Sequence, residues 1–300
     1  MLENASSDLL SRILEQYQLQ AHIFASPKVC GAWQINTTGL HRAGFHLLVQ
    51  GGCWLHADGL DDPLRLAEGD LVFLARETRH LLSPEAEPSD RDMRLINDGD
   101  GTVTEIICGS VEFAHQDAQA VMETLPTPMV LRAGQAAGPA QFQALAALMK
   151  AEVENPRDGH QALLDRLAEV LVVMVLRYAT TSGEVTSGLL AGIREPSLRP
   201  ALKAIHEQWE QPGSLGELAE LAGLSRSAFS RRFTRIVGRT PGQYRDHWRL
   251  WQAERLLVDR RHSVARVAER LGYASEAAFR RAFTRARGKT PGVARRSVEA

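Results

Sequence analysis

The stretch LSRSAFSRRFTRIVGRTPG, residues 224–242, recurs fifty positions later as ASEAAFRRAFTRARGKTPG, residues 274–292. The two copies align without a gap, and each keeps a serine, two phenylalanines, a glycine and a closing Thr-Pro-Gly. A pattern repeated in this way indicates a repeated supersecondary unit. The fold of the carboxyl-terminal third therefore depends on what one copy encodes.

Each copy predicts a helix-turn-helix. In the first copy, apolar residues at helical spacing between 215 and 222 predict a supporting helix, and Gly223 suits the turn. Ser225 is a natural cap for a second helix, whose buried stripe contains Phe229 and Phe233. The second copy follows the same order, with one more residue between its supporting helix and its cap.

The segment between the two copies predicts one continuous helix over residues 241–258. At 1.5 Å per residue its length is about 27 Å. Successive major-groove turns on one face of B-DNA lie about 34 Å apart. Two second helices joined in this way are therefore expected to enter adjacent turns, and a helical bundle with solvated arginines is the alternative.

The charge of the chain is divided between its two ends. The net charge is −1, but residues 201–300 contain 20 Lys and Arg against 10 Asp and Glu, while residues 1–200 contain 15 against 26. Most of the basic residues in the last third are arginine, which forms bidentate contacts with phosphates and guanine edges. This basic third predicts double-stranded DNA as the partner.

Outward side chains on the two second helices are the candidate DNA contacts. Arg226 and Arg231 in the first copy, and Glu276 and Arg280 in the second, are expected at base edges. Glu276 has the alternatives of capping its helix or pairing with a neighbouring arginine. The whole predicted interface is Ser225, Arg226, Ser227, Ser230, Arg231 and Arg235 in the first copy and Ser275, Glu276, Ala277, Arg280, Arg281 and Arg285 in the second. The last arginine of each set is expected on a phosphate.

These residues resemble the carboxyl-terminal DNA-binding domain of AraC/XylS-type transcription regulators. The resemblance rests on LAELAGLSRSAFSRRFTRIVGRTPGQYRDHWR and VAERLGYASEAAFRRAFTRARGKTPG and covers about residues 200–297. It implies a sequence-specific transcription regulator, typically an activator that works with RNA polymerase. The two copies depart from each other after the Thr-Pro-Gly, where the first has Tyr244 and the second has Ala294.

The amino-terminal part shows strand-like patterns between residues 30 and 108. FHLLVQGGCWLHA predicts a hairpin around Gly51–Gly52, and LRLAEGDLVFLA predicts a Gly-Asp turn before an apolar strand. Short strands with such turns favour a small β-barrel or sandwich. The motifs CGAW, FHLLVQGGCWL, LAEGDLVFLARETRHLL and IICGSVEF resemble the cupin-like sensor half of a subgroup of the same regulators.

Four side chains in this half are candidate metal ligands. In the predicted hairpin His46 and Cys53 share a face, while His80 and Cys108 lie on later strands. Two histidines and two cysteines suit tetrahedral Zn²⁺, and two buried thiols with two ordinary histidines are the alternative. Oxidation of the thiols, or a small organic ligand inside the barrel, are the other expected signals.

The remaining patterns complete the predicted architecture. Two amphipathic patterns separated by ENPRDG, within residues 140–180, predict helices that form a homodimer or cover the barrel. TTSGEVTSG is small and polar, which is typical of a linker. We predict an α+β two-domain chain: a cupin-like β-barrel sensor with carboxyl-terminal dimerisation helices (1–180), a linker (181–196) and an all-α DNA-binding domain with two helix-turn-helix units (197–300).

Composition excludes several other classes of protein. The chain is 44% hydrophobic and 24% charged, and its three cysteines are too few for a secreted disulfide scaffold. It contains neither a membrane-length apolar run nor a signal-peptide pattern, so no membrane partner and a cytoplasmic location are expected. A metal-dependent cupin enzyme fused to a DNA-binding domain is the rival function. It is disfavoured because the strand around His46 offers no carboxylate for an iron site, so no enzymatic activity is expected.

Overall fold

The computed structural model describes residues 8–39, 43–87, 102–113, 116–133, 139–211, 213–259 and 262–296. These residues form two compact units. The first unit is residues 14–186, and the second comprises the described residues of 187–300 together with those up to Ile13. Strands dominate the first unit and helices form the second, as predicted for a mixed two-domain chain.

The strands of the first unit form two antiparallel sheets. The larger sheet has the spatial order β1 (Leu19–Ala25), β8 (Thr104–Phe113), β3 (Gly44–Gln50), β6 (Leu71–Leu74) and β9 (Met129–Leu131), and β2 (Lys28–Val29) also pairs with β8. The smaller sheet has the order β5 (Leu64–Ala67), β4 (Gly52–Ala57) and β7 (His80–Ser83). Apolar residues of both sheets meet in one buried core, for example Leu48 and Ile106 from the larger sheet and Leu55 and Leu82 from the smaller one.

The predicted hairpin around Gly51 is wrong. β3 pairs with β6 and β8, whereas β4 pairs with β5 and β7, so the chain passes from one sheet to the other at this point. Gly51 has a φ of 75°, and a Cβ there would lie 2.3 Å from the carbonyl oxygen of Val103. The two glycines therefore form a corner between the sheets. Glycine is required at position 51 because the chain before β8 approaches too closely to leave room for a side chain.

Helices contact the larger sheet. α2 is Gln116–Met122, α3 is Pro139–Glu154 and α4 is His160–Thr181, and each contacts one of its strands. A further helix, α1, is Leu9–Tyr17 and precedes β1 in the chain. α4 is fastened to β1 because the Asp165 carboxylate accepts a hydrogen bond from the Ile23 amide at 3.0 Å, and Gln161 donates to the Ile23 carbonyl at 2.9 Å. The two amphipathic helices predicted on either side of ENPRDG are thus confirmed as α3 and α4.

The second unit contains both predicted helix-turn-helix pairs. Its helices are α5 (Gly188–Arg194), α6 (Arg199–Glu207), α7 (Leu215–Leu221), α8 (Arg226–Val237), α9 (Pro241–Val258), α10 (Val264–Arg270), α11 (Glu276–Arg287) and α12 (Pro291–Arg296). α7 with α8 and α10 with α11 are the two units, and α9 is the continuous helix expected between them. Across the described residues, none of the helices combines the length and the apolar character that a bilayer crossing requires.

The predicted linker, residues 181–196, is in part a helix. α5 lies inside it and buries Leu189, Leu190 and Ile193. It packs against α8, and Glu195 at its end forms an ion pair with Arg232 at 3.2 Å. The apolar residues after Gly188 need such a cover, so they belong to the DNA-binding unit. Within the predicted linker, the segments without helix or strand are residues 182–187 and 195–196.

Candidate nucleic-acid interface and sensor core

The two second helices, α8 and α11, have the same frame. Each is 12 residues long and begins after a serine cap. The Ser225 hydroxyl accepts from the Ala228 amide at 3.3 Å, and the Ser275 hydroxyl accepts from the Ala278 amide at 3.2 Å. The two capping serines predicted from the sequence are confirmed as caps.

Paired phenylalanines orient both helices. Phe229 and Phe233 on α8, and Phe279 and Phe283 on α11, are fully buried, and the ring centroids in each pair are 5.5 Å apart. The opposite face of each helix is left to solvent. The exposed residues on this face are Ser225, Arg226, Ser227, Arg231 and Arg235 in the first helix-turn-helix and Ser275, Ala277, Arg280, Arg281 and Arg285 in the second. Ser230 and Glu276 are half-buried.

Two equivalent arginines, Arg231 and Arg281, are exposed on these faces. Among the residues that the structure describes, neither has an ion-pair partner. Within that part of the chain, their guanidinium donors remain available to an external acceptor. An exposed arginine in the middle of each second helix is suited to bind phosphate or guanine.

The first turns of the two helices differ. The Arg226 guanidinium lies back against α7, where a Cβ on Gly216 would come within 2.7 Å of its Nη2 atom. On α11, Glu276 accepts a hydrogen bond from Nε of Arg280 at 2.7 Å, and Nη2 of Arg280 forms an ion pair with the same carboxylate oxygen at 2.6 Å. Arg226 is therefore supported by the first supporting helix, and Gly216 is a residue of this interface that sequence reasoning overlooked.

The sensor core brings three of the four predicted metal ligands into contact. His46 on β3 lies opposite Cys108 on β8, so both side chains enter the space between the sheets. His46 Nδ1 is 3.2 Å from Cys108 Sγ, and His46 Nε2 is 3.0 Å from His80 Nε2. Cys53 enters the same core from β4 in the smaller sheet.

These contacts define one hydrogen-bonded chain. His80 Nδ1 donates to the carbonyl oxygen of Thr78 at 2.8 Å, which makes Nε2 of a neutral His80 an acceptor. Two donors face this acceptor: the Thr37 hydroxyl at 2.8 Å and His46 Nε2 at 3.0 Å. In the tautomer in which His46 Nε2 donates, its Nδ1 accepts from the Cys108 thiol. Thr37 lies in a loop without periodicity, so no sequence signal pointed to it.

Burial keeps the members of this cluster uncharged. It lowers the pKa of His46 to about 3, with the neighbouring His80 adding to the effect, and it also lowers the pKa of His80. It raises the pKa of Cys53 and of Cys108 to about 12. Both thiols are therefore protonated at neutral pH, which disfavours the thiolate that oxidation and metal ligation require.

The four predicted ligands do not fit a single tetrahedral zinc site in this arrangement. His46 directs one ring nitrogen at His80 and the other at Cys108, and one imidazole does not aim both nitrogens at the same ion. Within the described ranges, no group of three or more His, Cys, Asp and Glu side chains is placed to hold a metal ion. Zinc binding therefore stays a prediction from the sequence.

A cavity of about 530 Å³ lies beside His80 in the first unit. Its lining includes the polar or charged Asn36, Asp58 and Arg79 and the apolar Leu60 and Leu81. Charged, polar and apolar side chains line this space together, so it suits a small molecule that carries both polar and apolar groups.

Comparison with known proteins identifies the family. A family profile described as Cupin matches residues 8–181, and one described as Helix-turn-helix domain matches residues 218–297. A putative AraC-like transcription regulator of Streptomyces antibioticus is 30% identical over 279 residues, which are 90% of this chain and 92% of that protein. The chain belongs to the AraC-like transcription regulators.

Further proteins are similar to this AraC-like regulator. The RCS-specific HTH-type transcriptional activator RclR of Escherichia coli strain K12 is 25% identical over 276 residues, which are 90% of each chain. The DNA-binding domain of AdpA, solved in complex with a target DNA, is 34% identical, with a TM-score of 0.32, over 34% of this chain and 92% of that chain. The match to the helix-turn-helix profile and the AraC-like relative make the repeated helix pairs the DNA-binding part of this transcription regulator.

Proposed function

We propose that this AraC-like regulator reads DNA with α8 and α11 in successive major-groove turns. The observation that carries the proposal is that Arg231 and Arg281 lie exposed, without an ion-pair partner among the described residues, at equivalent places on two helices of equal length. α9 joins the two helix-turn-helix units, and at 1.5 Å per residue its 18 residues extend about 27 Å. The other ten predicted interface residues lie around these arginines and supply phosphate and base contacts.

The experiment is footprinting of the full-length protein across the genome, with and without an oxidant or a chelator. The expected result is a set of protected duplex sites that contain two contact regions about one helical turn apart. Binding is expected to weaken steeply with salt, because arginine contacts release phosphate counterions. Purified protein that prefers no duplex sequence at modest salt would contradict the proposal.

We infer that the first compact unit senses the signal, and that the effector is a small molecule with both polar and apolar groups in the cavity beside His80. The lining supports this class of ligand, because charged side chains such as Asp58 and Arg79 lie beside apolar ones such as Leu60. An effector acts only if it binds two states of the regulator unequally. A footprint that changes on oxidation would instead favour the thiols, and one that changes with chelator would favour zinc at His46, Cys53, His80 and Cys108.

We further propose that the regulator acts as a homodimer and activates transcription with RNA polymerase in the cytoplasm. Leu163 and Val170 lie seven residues apart on one face of α4, and both are exposed, as is Leu148 on α3. An apolar surface of this kind favours self-association. The relative named as an activator supports the direction of regulation. Light scattering of the purified protein, and transcription in its presence, test the two statements.

We propose that the protein is not an enzyme. The relatives reported above are regulators, and Asp70, a buried carboxylate near the sensor core, is engaged by Arg132 at 2.6 Å. Metal analysis of the purified protein together with an oxygen-consumption assay tests this proposal against a metal-dependent cupin enzyme. Turnover of oxygen that depends on a bound metal would overturn it.

A further inference from the structure

The second helices of the two helix-turn-helix units, α8 and α11, carry opposite charges at their first residue. Arg226 begins α8 and Glu276 begins α11. Four residues further along, α8 has Ser230 and α11 has Arg280, which donates a hydrogen bond from Nε to Glu276 and forms an ion pair with the same carboxylate oxygen through Nη2. No acidic residue occurs in α8. The second helix-turn-helix therefore presents a hydrogen-bond acceptor and a donor side by side, whereas the first presents donors.

The supporting helices differ at the matching place. Gly216 is the second residue of α7, and Ala265 is the second residue of α10. The absence of a side chain at Gly216 leaves room for the Arg226 guanidinium. The second helix-turn-helix has the methyl group of Ala265 at the matching place on α10. Its second helix, α11, begins with Glu276, which pairs with Arg280 of the same helix. The two helix-turn-helix units thus differ at two positions, one on each of their helices.

We propose that Glu276 is the specificity-determining residue of the second unit, and that the Glu276–Arg280 pair reads one G·C base pair. The inference rests on the proposed function, since it requires α11 in the major groove. Guanine presents two acceptors, O6 and N7, to an arginine, and its partner cytosine presents the N4 amino donor to a carboxylate. One base pair therefore satisfies both members of the side-chain pair.

Magnitudes indicate how Glu276 acts. An exposed pair of this spacing, with the acid on the amino-terminal side, stabilises the paired arrangement by only about twofold. DNA therefore redirects Arg280 at little cost. A carboxylate pressed against base edges that offer no donor is left without a partner, which weakens binding by roughly tenfold or more. Glu276 thus acts mainly by rejecting wrong sites.

A purely structural role is the competing explanation. A glutamate in the first helical turn favours the helix because it faces the positive end of the helix dipole. In that role, replacing Glu276 would lower the stability of α11 and weaken binding to every duplex by the same factor. The readout that separates the two roles is the ratio of affinities for the selected site and for random duplex.

The test selects binding sites from a randomised duplex pool with the full-length protein and then measures both affinities. Wild type is expected to retain a G·C pair in its second half-site. Glu276→Ala and Glu276→Gln are expected to lose that preference, bind random duplex several-fold more tightly and lower the ratio by roughly tenfold. Arg280→Ala is expected to lose the guanine preference as well.

The control is Glu269→Ala, which removes an equal charge from an exposed position on α10. It is expected to change both affinities by the same factor and to keep the G·C pair. If Glu276→Ala and Glu276→Gln match this control, or if the wild-type site lacks the G·C pair, the inference is overturned while the proposed function stands. Wild type without any duplex preference would overturn both.

Moving the glutamate–arginine pair to the first helix-turn-helix provides a further test. Arg226→Glu combined with Ser230→Arg places the same pair on α8. The double variant is expected to require a second G·C pair, in the first half-site, and to bind random duplex less tightly than wild type. An unchanged first half-site contradicts the assignment of specificity to this pair.

Discussion

The two helix-turn-helix units share an interior and differ at the surface. Both have capped helices of equal length, two phenylalanines whose rings contact each other at a steep angle, and a closing glycine in the left-handed conformation. They differ at the first residue of the second helix, at the second residue of the supporting helix, and where Tyr244 is replaced by Ala294. Burial constrains the first set of positions because each must fill the same core, whereas the second set is adapted to separate contacts.

The largest expected effect tests the shared interior. Phe229→Ala and Phe279→Ala are each expected to lower the free energy of unfolding by about 3–5 kcal/mol, because both side chains are fully buried. Chemical denaturation measures the two losses, which we expect to be similar. Arg281→Ala, on the exposed face, serves as control and is expected to change stability by about 0.5 kcal/mol or less. A clearly smaller loss for one phenylalanine would mean that the two interiors are not equivalent.

The next effect tests whether both units contact DNA. Arg231→Ala is expected to weaken operator binding by about 1–3 kcal/mol, because an exposed guanidinium that contacts a base or phosphate is removed. Arg281→Ala is expected to weaken it by a comparable amount. Fluorescence anisotropy at one fixed salt concentration measures both, with the exposed Arg157→Ala of the first compact unit as control. Unchanged affinity for Arg281→Ala alone would mean that α11 stays outside the groove.

The smallest effect is a pH dependence of stability, which we expect from the first helix-turn-helix only, where Tyr244 contacts a buried histidine. His206 on α6 is fully buried, 2.8 Å from the Tyr244 hydroxyl and stacked on Trp248, and burial lowers the pKa of His206 to about 3. Below pH 6.5 the unfolded chain takes up a proton that the folded chain does not. The free energy of unfolding therefore falls by about 1.4 kcal/mol per pH unit, or about 2 kcal/mol at pH 5.

Denaturation at pH 7 and pH 5 measures this dependence. His206→Phe is expected to lose its share of the pH dependence, while Tyr244→Phe, which keeps the histidine, is expected to retain it. The second unit has no equivalent group, since Ala294 occupies the place of Tyr244. Equal pH dependence in wild type and His206→Phe would show that His206 is not the titrating group.

The carboxyl-terminal unit was predictable from sequence because its signals are local. Caps, phenylalanine stripes and the Thr-Pro-Gly before α9 each act within one or two helical turns, and the repeat states them twice. The same reasoning could not place the Arg226 guanidinium over Gly216, because that contact joins two helices. It also assigned α5 to a linker, since its apolar residues gain a partner only when α8 is present.

In the amino-terminal unit, local residue patterns were enough to predict strands and turns, and to show which histidines and cysteines lie on strands. Contacts between distant segments were needed to show that the glycines at 51 and 52 connect two sheets and that His46 lies between His80 and Cys108. This is because strand pairing uses backbone hydrogen bonds between distant segments, such as β3 and β8. Local turn chemistry is the same for a hairpin and for a corner, so the competition among distant strands settles which one forms.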